Sequence, residues 1–520
     1  MIMAICRLVV TNLKRRPSNP LFQYKALFSL SVYRSFSVDT INEPFNNHRD
    51  TGIYKVKKSE LLRLKKSNGD ATALLEKWTR GGRNVSSSQL RSVCRRLVEA
   101  RRYDQALQIM NWIETEGSSF RMSAADYALR MRVIIEVHGL VVAEEYFKQL
   151  PSFVAQKAAC LPLLNGFVKQ RNIDKAEAFM REMNDLALLV TPHPFNEMMK
   201  LYIATSQYEK VHLVILEMKR NQIPRNVLSY NLWMSACGGA NQLSKAEMVF
   251  KEMMSDENVK VGWSSLASLA DVYIRSGLVA KALMVLNDAE KKLSVGGRLG
   301  YFFIITLYGK LKNKGGVLRV WDGSKRVGGR ITCANYMCVL SCLVRMDALM
   351  EAEEVFKEWE SSSGYYDIRV SNVLLGAYVR CGLIEKAESL HLHTLERGGC
   401  PNYKTWEILM EGWVKCRKMV KAIDAMKNGF SMLSQCKWRP SHDILMHIAE
   451  HFEKNGSLEN ASEYIKIVHE FGLASLPLYR LLLRMHLCAG RPPFDIIKMM
   501  KKDEIEMDDE TSALIQAFTS

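Results

Sequence analysis

Residues 227–253 read VLSYNLWMSACGGANQLSKAEMVFKEM, and this stretch decides the fold. It holds two apolar-periodic segments with Gly-Gly-Ala-Asn between them. Apolar residues recurring at three- and four-residue steps make one face of a helix. Asn and Gly suit the break because they tolerate a positive φ. Ala246 opens the second segment, where two helices must approach closely, and Phe250 follows one turn later as a large filler. The same small residue returns along the chain as Ala at 106, 143, 176, 282, 352, 387, 422 and 461, and as Val at 211 and 317. Fifteen positions before each lies a register point, with a last one before Asp495: 91, 128, 161, 196, 231, 267, 302, 337, 372, 407, 446 and 480. The spacing is 33 to 39 residues, with a mean near 35.

Such a period predicts an all-α solenoid of about twelve helix-turn-helix units. A single hairpin cannot bury its apolar face, and stacked neighbours can. An aromatic residue precedes many register points: Tyr127, Phe195, Tyr230, Tyr301, Tyr336, Trp406 and Tyr479. These aromatics recur with the packing period and read as core. Ser206, Asn241, Gly277, Gly382, Gly456 and Gly490 fall where each first helix must end. Phe147, Met180, Trp321, Phe356 and Met426 repeat the filler role of Phe250.

The chain has 520 residues and a net charge of +17. No run of eighteen apolar residues occurs, which argues against a membrane span. The twelve cysteines contain no Cys-x-x-Cys pair. Cys333, Cys338 and Cys342 share one predicted helix and read as small buried filler in a reducing compartment. The first 36 residues carry Arg7, Lys14, Arg15, Arg16, Lys25 and Arg34 and no acidic residue. Dispersed basic charge among serines and apolar residues reads as a mitochondrial transit peptide, with Arg34-Ser-Phe36 placing cleavage after Phe36. A chloroplast address fits less well, and a plain basic tail is the alternative. Losing six positive charges from +17 leaves +11, an excess that favours a polyanionic partner.

Residues 37–85 read as a linker followed by a short capping helix over 71–78, and 86–500 as the repeat array. Residues 294–300 and 323–330 read as glycine-rich basic loops, and 428–440 as an insertion. The tail 501–520 turns acidic through Asp503, Glu504, Glu506, Asp508, Asp509 and Glu510. It is expected to cap the last repeat.

The run from Pro224-Arg225-Asn226 through Tyr230-Asn231, with Lys245-Ala246-Glu247, resembles a pentatricopeptide repeat. So does Val370-Ser-Asn372, with Lys386-Ala387-Glu388 and Cys400-Pro401-Asn402. The resemblance covers roughly residues 86–500 and is closest to the plain class of plant organellar members. It implies a right-handed superhelix with a basic groove for single-stranded RNA. One base is read per repeat, by the residue after the first-helix aromatic and by the last residue of the repeat. On this sequence those places are Asn196 with Asn226, Asn231 with Gly262, and Asn372 with Asn402. An amide both donates and accepts, so it suits a base edge, and the Asn/Asn pairs would favour a pyrimidine, cytosine first. Ordinary hydrophilic surface is the alternative reading of these asparagines. The nine remaining register residues are Arg91, Ala128, Leu161, Ala267, Phe302, Met337, Glu407, Met446 and Arg480. Most of them cannot hydrogen-bond a base. One base contact discriminates by about 1–3 kcal/mol, so two complete pairs cannot select a unique transcript site. Backbone charge, RNA shape or a protein partner must add the rest.

Two motifs resemble catalytic ones. His447-Ile-Ala-Glu450-His451 has the spacing of some zinc peptidases but falls inside an ordinary repeat helix. Gly323-Ser-Lys-Arg-Val-Gly328 lacks the Lys-Ser/Thr of a phosphate loop. The expectation is therefore a non-enzymatic protein without cofactor, metal or small-molecule substrate. It binds single-stranded mitochondrial RNA passively for processing, stability or translation. The alternative is a scaffold subunit of a mitochondrial ribonucleoprotein such as the mitoribosome, with protein partners and little base reading.

Overall fold

The computed structural model describes residues 87–115, 122–294, 296–432 and 439–518. The expected leader, linker and 71–78 helix lie outside the described residues, as do residues 433–438 of the 428–440 insertion. Among the described residues there are twenty-five α-helices and no strand.

Two compact units divide the chain, one ending at Leu278 and one beginning at Val279. The first holds α1 (Ser87–Glu99), α2 (Tyr103–Thr115), α3 (Ala124–His138), α4 (Leu140–Lys148), α5 (Phe153–Lys169) and α6 (Ile173–Asp185). It continues with α7 (Pro192–Ala204), α8 (Tyr208–Arg220), α9 (Val227–Gly239), α10 (Leu243–Ser255) and α11 (Trp263–Arg275). The second holds α12 (Val279–Lys291), α13 (Leu299–Lys310), α14 (Lys314–Lys325), α15 (Cys333–Arg345), α16 (Leu349–Ser362), α17 (Ile368–Arg380) and α18 (Ile384–Glu396). After these come α19 (Tyr403–Lys415), α20 (Met419–Phe430), α21 (His442–Lys454), α22 (Leu458–Glu470), α23 (Leu476–Cys488), α24 (Phe494–Lys502) and α25 (Asp509–Gln516). From α1 to α24, odd-numbered helices are the first helices of the twelve repeats and even-numbered ones the second; α25 follows the last of them. In each unit a first helix packs on its own second helix and on the first helix of the next repeat, as α9 does on α10 and α11, and α17 on α18 and α19.

The local chemistry explains the hairpin. The residue ten places after the register point is left-handed in eleven repeats, with φ between 52° and 75°. Gly277, Gly382, Gly456 and Gly490 fill it without strain. Arg101, Arg171, Ser206, Asn241, Lys312, Asp347 and Arg417 fill it at a steric cost. The remaining repeat turns at Gly139, one place later. Every Ala and Val of the second-helix seam is fully buried, at 0% exposure. Phe195, Tyr230, Tyr301, Tyr336 and Tyr479 are buried as core, whereas Tyr127, Trp406 and Phe250 are only half-buried.

A clasp joins successive repeats. Tyr202 and Lys210 donate to Glu177 at 2.9 and 2.7 Å, with Lys210 5.4 Å from the Tyr202 ring centre. Tyr378 and Lys386 do the same to Glu353 at 2.7 and 3.1 Å. Trp413 and Lys421 do so to Glu388 at 2.5 and 2.9 Å. Burial works against the charge on each of these three glutamates, but the hydrogen bonds and the lysine charges outweigh it and hold the carboxyls below their ordinary value. The Lys-Ala-Glu run at 386–388 thus serves three partners: Ala387 the hairpin, Glu388 the repeat after, Lys386 the repeat before. In the run at 245–247, Glu247 likewise takes Tyr273 of the repeat after, at 2.9 Å.

Two expected loops are corrected. Residues 299–300 begin α13 and 323–325 end α14. The Arg298 guanidinium donates to the carbonyls of Ser324, Val327, Gly329 and Arg330. Ser324 lies in the last turn of α14 and the other three carbonyls follow it, so the arginine is a staple on this helix end rather than a free cation.

Candidate nucleic-acid interface

The amide pairs form across neighbouring repeats. Asn226 is the N-cap of α9, and its Oδ1 accepts from the Ser229 backbone N–H at 3.0 Å. A backbone N–H only donates, so the Asn226 amide has one possible orientation. Asn196 Nδ2 donates to that same Oδ1 at 3.3 Å, and the Ser229 hydroxyl donates to Asn196 Oδ1 at 2.8 Å. Asn196 is 1% exposed. The half-buried Asn226 keeps its Nδ2 group clear of these bonds and turned from the cap. The arrangement repeats at Asn372. Its Nδ2 donates to Asn402 Oδ1 at 3.2 Å, Thr405 N–H donates to that oxygen at 3.1 Å, and the Thr405 hydroxyl donates to Asn372 Oδ1 at 3.0 Å. In both repeats the deeper asparagine holds the outer one, and the outer Nδ2 is a fixed donor.

Asn231 differs. Gly262 supplies no side chain, and a Cβ there would meet nothing within 4 Å. Asn231 Nδ2 donates instead to the Ser264 hydroxyl at 3.4 Å, while its Oδ1 is buried and unpaired. A buried unpaired acceptor costs about 1–3 kcal/mol, which a ligand donor would recover. Ser229, Thr405 and Ser264 were not singled out by sequence reasoning, although each lies 33 residues after the asparagine it contacts.

A second feature was also missed. Eight places after the register point, at the ends of α13, α15, α17, α19 and α21, stand Lys310, Arg345, Arg380, Lys415 and Lys454. All five are exposed. Among the described residues Arg345, Arg380, Lys415 and Lys454 stand in no ion pair. A cation at a helix C-terminus favours the helix by about 0.3–1 kcal/mol, and five in successive repeats also make a periodic cationic row. In the first unit the same places hold Glu99, Glu136, Lys169, Ala204, Gly239 and Arg275. There Lys169 pairs with Glu136 at 3.4 Å and Arg275 with Asp271 at 2.7 Å, so no row forms. Glu407 is paired with Lys404.

In the metal-like motif one ring nitrogen of each histidine is engaged locally. His447 Nδ1 lies 2.6 Å from the Asp443 carbonyl, and His451 Nε2 lies 2.9 Å from the Asn455 amide. Among the described residues no group of three or more His, Cys, Asp or Glu side chains is placed to hold a metal ion. Cys338 and Cys342 are buried and Cys333 is half-buried, all as free thiols. No described helix is long and apolar enough to cross a membrane.

The family model for the PPR repeat matches residues 162–186, 228–257, 335–363 and 370–398. The pentatricopeptide repeat-containing protein At5g27460 of Arabidopsis thaliana is 56% identical over 450 residues, which are 86% of this chain and 91% of that protein. This chain belongs to the pentatricopeptide repeat family. A second family member from Arabidopsis thaliana, At1g02150, is 34% identical over 81% of this chain and 79% of its own length. A third, At4g21705, whose name carries the word mitochondrial, is 29% identical over 85% of this chain and 90% of its own length. Among solved structures, the pentatricopeptide repeat protein PPR10 in complex with an 18-nt psaJ RNA element matches at 15% identity. It covers 86% of this chain and 73% of that one, with a TM-score of 0.43.

Proposed function

We propose that this pentatricopeptide repeat protein binds single-stranded RNA in the mitochondrion and acts passively, by shielding or unfolding the bound strand. The observation that carries the reading is the exposed cationic row from Lys310 to Lys454, on the same first helices as the Asn372 register point. A row with one cation per repeat matches a polymer with one phosphate per nucleotide. Family membership and the residual positive charge agree with it. The outer amides of Asn226 and Asn402 offer fixed donors, which suit an acceptor edge such as N3 and O2 of cytosine. The basic segment before Phe36 supplies the mitochondrial address, and several relatives bear that compartment in their names.

Filter binding of the purified chain to mitochondrial RNA fragments tests this. Affinity falls steeply with salt, because neutralised phosphates release counterions. Replacing Arg380 and Lys415 by Gln lowers the slope of log affinity against log salt by about 0.7 for each phosphate no longer neutralised. An unchanged slope in that double variant overturns the proposal. One observation favours the scaffold alternative: Asn196 and Asn372 spend their amides on internal bonds. If preferred sequences are absent and the protein co-sediments with mitoribosomes at high salt, the scaffold reading takes its place.

A further inference from the structure

Arg480 stands in α23 at the register point that Asn372 occupies in α17. Its Nε donates to the Thr511 hydroxyl at 3.4 Å, and its two terminal nitrogens donate to Asp508 and Glu510. Asp508 is the N-cap of α25, and its Oδ1 accepts from the Thr511 N–H at 3.0 Å and from the Thr511 hydroxyl at 2.6 Å. Arg480, Asp508 and Thr511 therefore repeat, place for place, the arrangement of Asn372, Asn402 and Thr405. α25 packs on α23 as α19 packs on α17. The expected tail cap is thus the first helix of a thirteenth, half-length repeat, with carboxylates where the earlier repeat has an amide. Asp503 is taken up separately, by the Tyr479 hydroxyl at 2.6 Å and His469 at 2.8 Å.

We propose that the acidic C-terminal segment closes the twelfth repeat to RNA: Asp508 and Glu510 act as an internal phosphate surrogate on Arg480, so that the bound strand ends at the eleventh repeat. The inference rests on the RNA reading above. A guanidinium takes carboxylate and phosphate with the same fork of donors, and ligands on the same chain act at high effective concentration. The first unit has a counterpart at its own outer repeat. Arg91, at the first register point, holds Asp126 at 2.8 Å, and Asp126 is locked in the capping box of Ser123.

The test uses the full chain and a random-sequence pool of single-stranded RNA longer than the array, with log affinity measured against log salt. Arg480→Gln alone leaves the slope unchanged. Asp508→Asn with Glu510→Gln keeps a capping side chain but frees the guanidinium, and steepens the slope by about 0.7 for one further phosphate neutralised. Adding Arg480→Gln to that pair returns the slope to its starting value. Thermal unfolding followed by circular dichroism confirms that each variant keeps its helices, and Glu510→Gln alone serves if the pair does not fold. A flatter slope in Arg480→Gln alone overturns the proposal, because Arg480 would already hold phosphate. A triple variant as steep as the double also overturns it, because the gain would then be general charge. A parent chain that binds no RNA overturns the reading beneath it as well; a binding parent with an unchanged double variant overturns this proposal alone.

Discussion

At Asn196 and Asn372 the buried amide is a positioning group, and a hydroxyl from the next repeat fixes which end of it points where. Ser229→Ala removes the hydroxyl that donates to Asn196 Oδ1 and leaves a buried acceptor unpaired. The expected loss is about 1–3 kcal/mol, read as a lower midpoint in urea at unchanged m-value. Ser229→Thr restores the hydroxyl and most of the stability. The left-handed turn residue makes a second prediction at this scale. Gly382 has φ 74°, so Gly382→Ala costs about 1 kcal/mol. Lys312, at the equivalent place with φ 52°, gains stability as Gly. Paired unfolding curves check the opposite signs.

At the scale of the element, the hairpin depends on one small residue and the stack on one carboxylate. Ala246 is fully buried, so Ala246→Leu overpacks the α9–α10 seam by about 1–3 kcal/mol, visible as a lower melting temperature with RNA affinity per folded molecule retained. The clasp carboxylates Glu177, Glu353 and Glu388 titrate below their ordinary value when folded. A depressed carboxyl stabilises the fold at pH above its unfolded pKa, and the contribution is lost as pH falls through the folded one. Stability therefore declines below about pH 4.5. Glu388→Gln weakens that decline, because a neutral amide keeps the Trp413 and Lys421 neighbours without titrating. Urea midpoints at neutral pH and at progressively lower pH measure the difference.

For the whole molecule, the repeat period was fully legible in the sequence. Each hairpin's markers lie within one unit: an apolar stripe, a turn residue and a small residue at the crossing. Local patterns of that kind depend only on backbone geometry and burial, and they recur twelve times. The candidate site was half legible. Asn196, Asn231 and Asn372 could be placed in register, but the state of their amides depends on partners 30 to 33 residues away. Reading them required knowing which helix lies beside which. The cationic row was present in the sequence at the same period, although it is recognisable only once those five side chains are known to be exposed. The equivalent Arg275 is paired with Asp271, and no sequence pattern separates the two cases.

The sequence alone therefore determined the architecture: a chain of helical hairpins in which alanine sets the crossing and a left-handed residue sets the turn. These are short-range constraints that each segment satisfies nearly by itself. Only the tertiary structure decided which polar groups remain available to a ligand, that Arg298 is spent on a loop, and that the acidic tail forms a half repeat over Arg480. Those outcomes arise where residues of different repeats compete for the same donors and acceptors, and stacking, not sequence proximity, brings the competitors together.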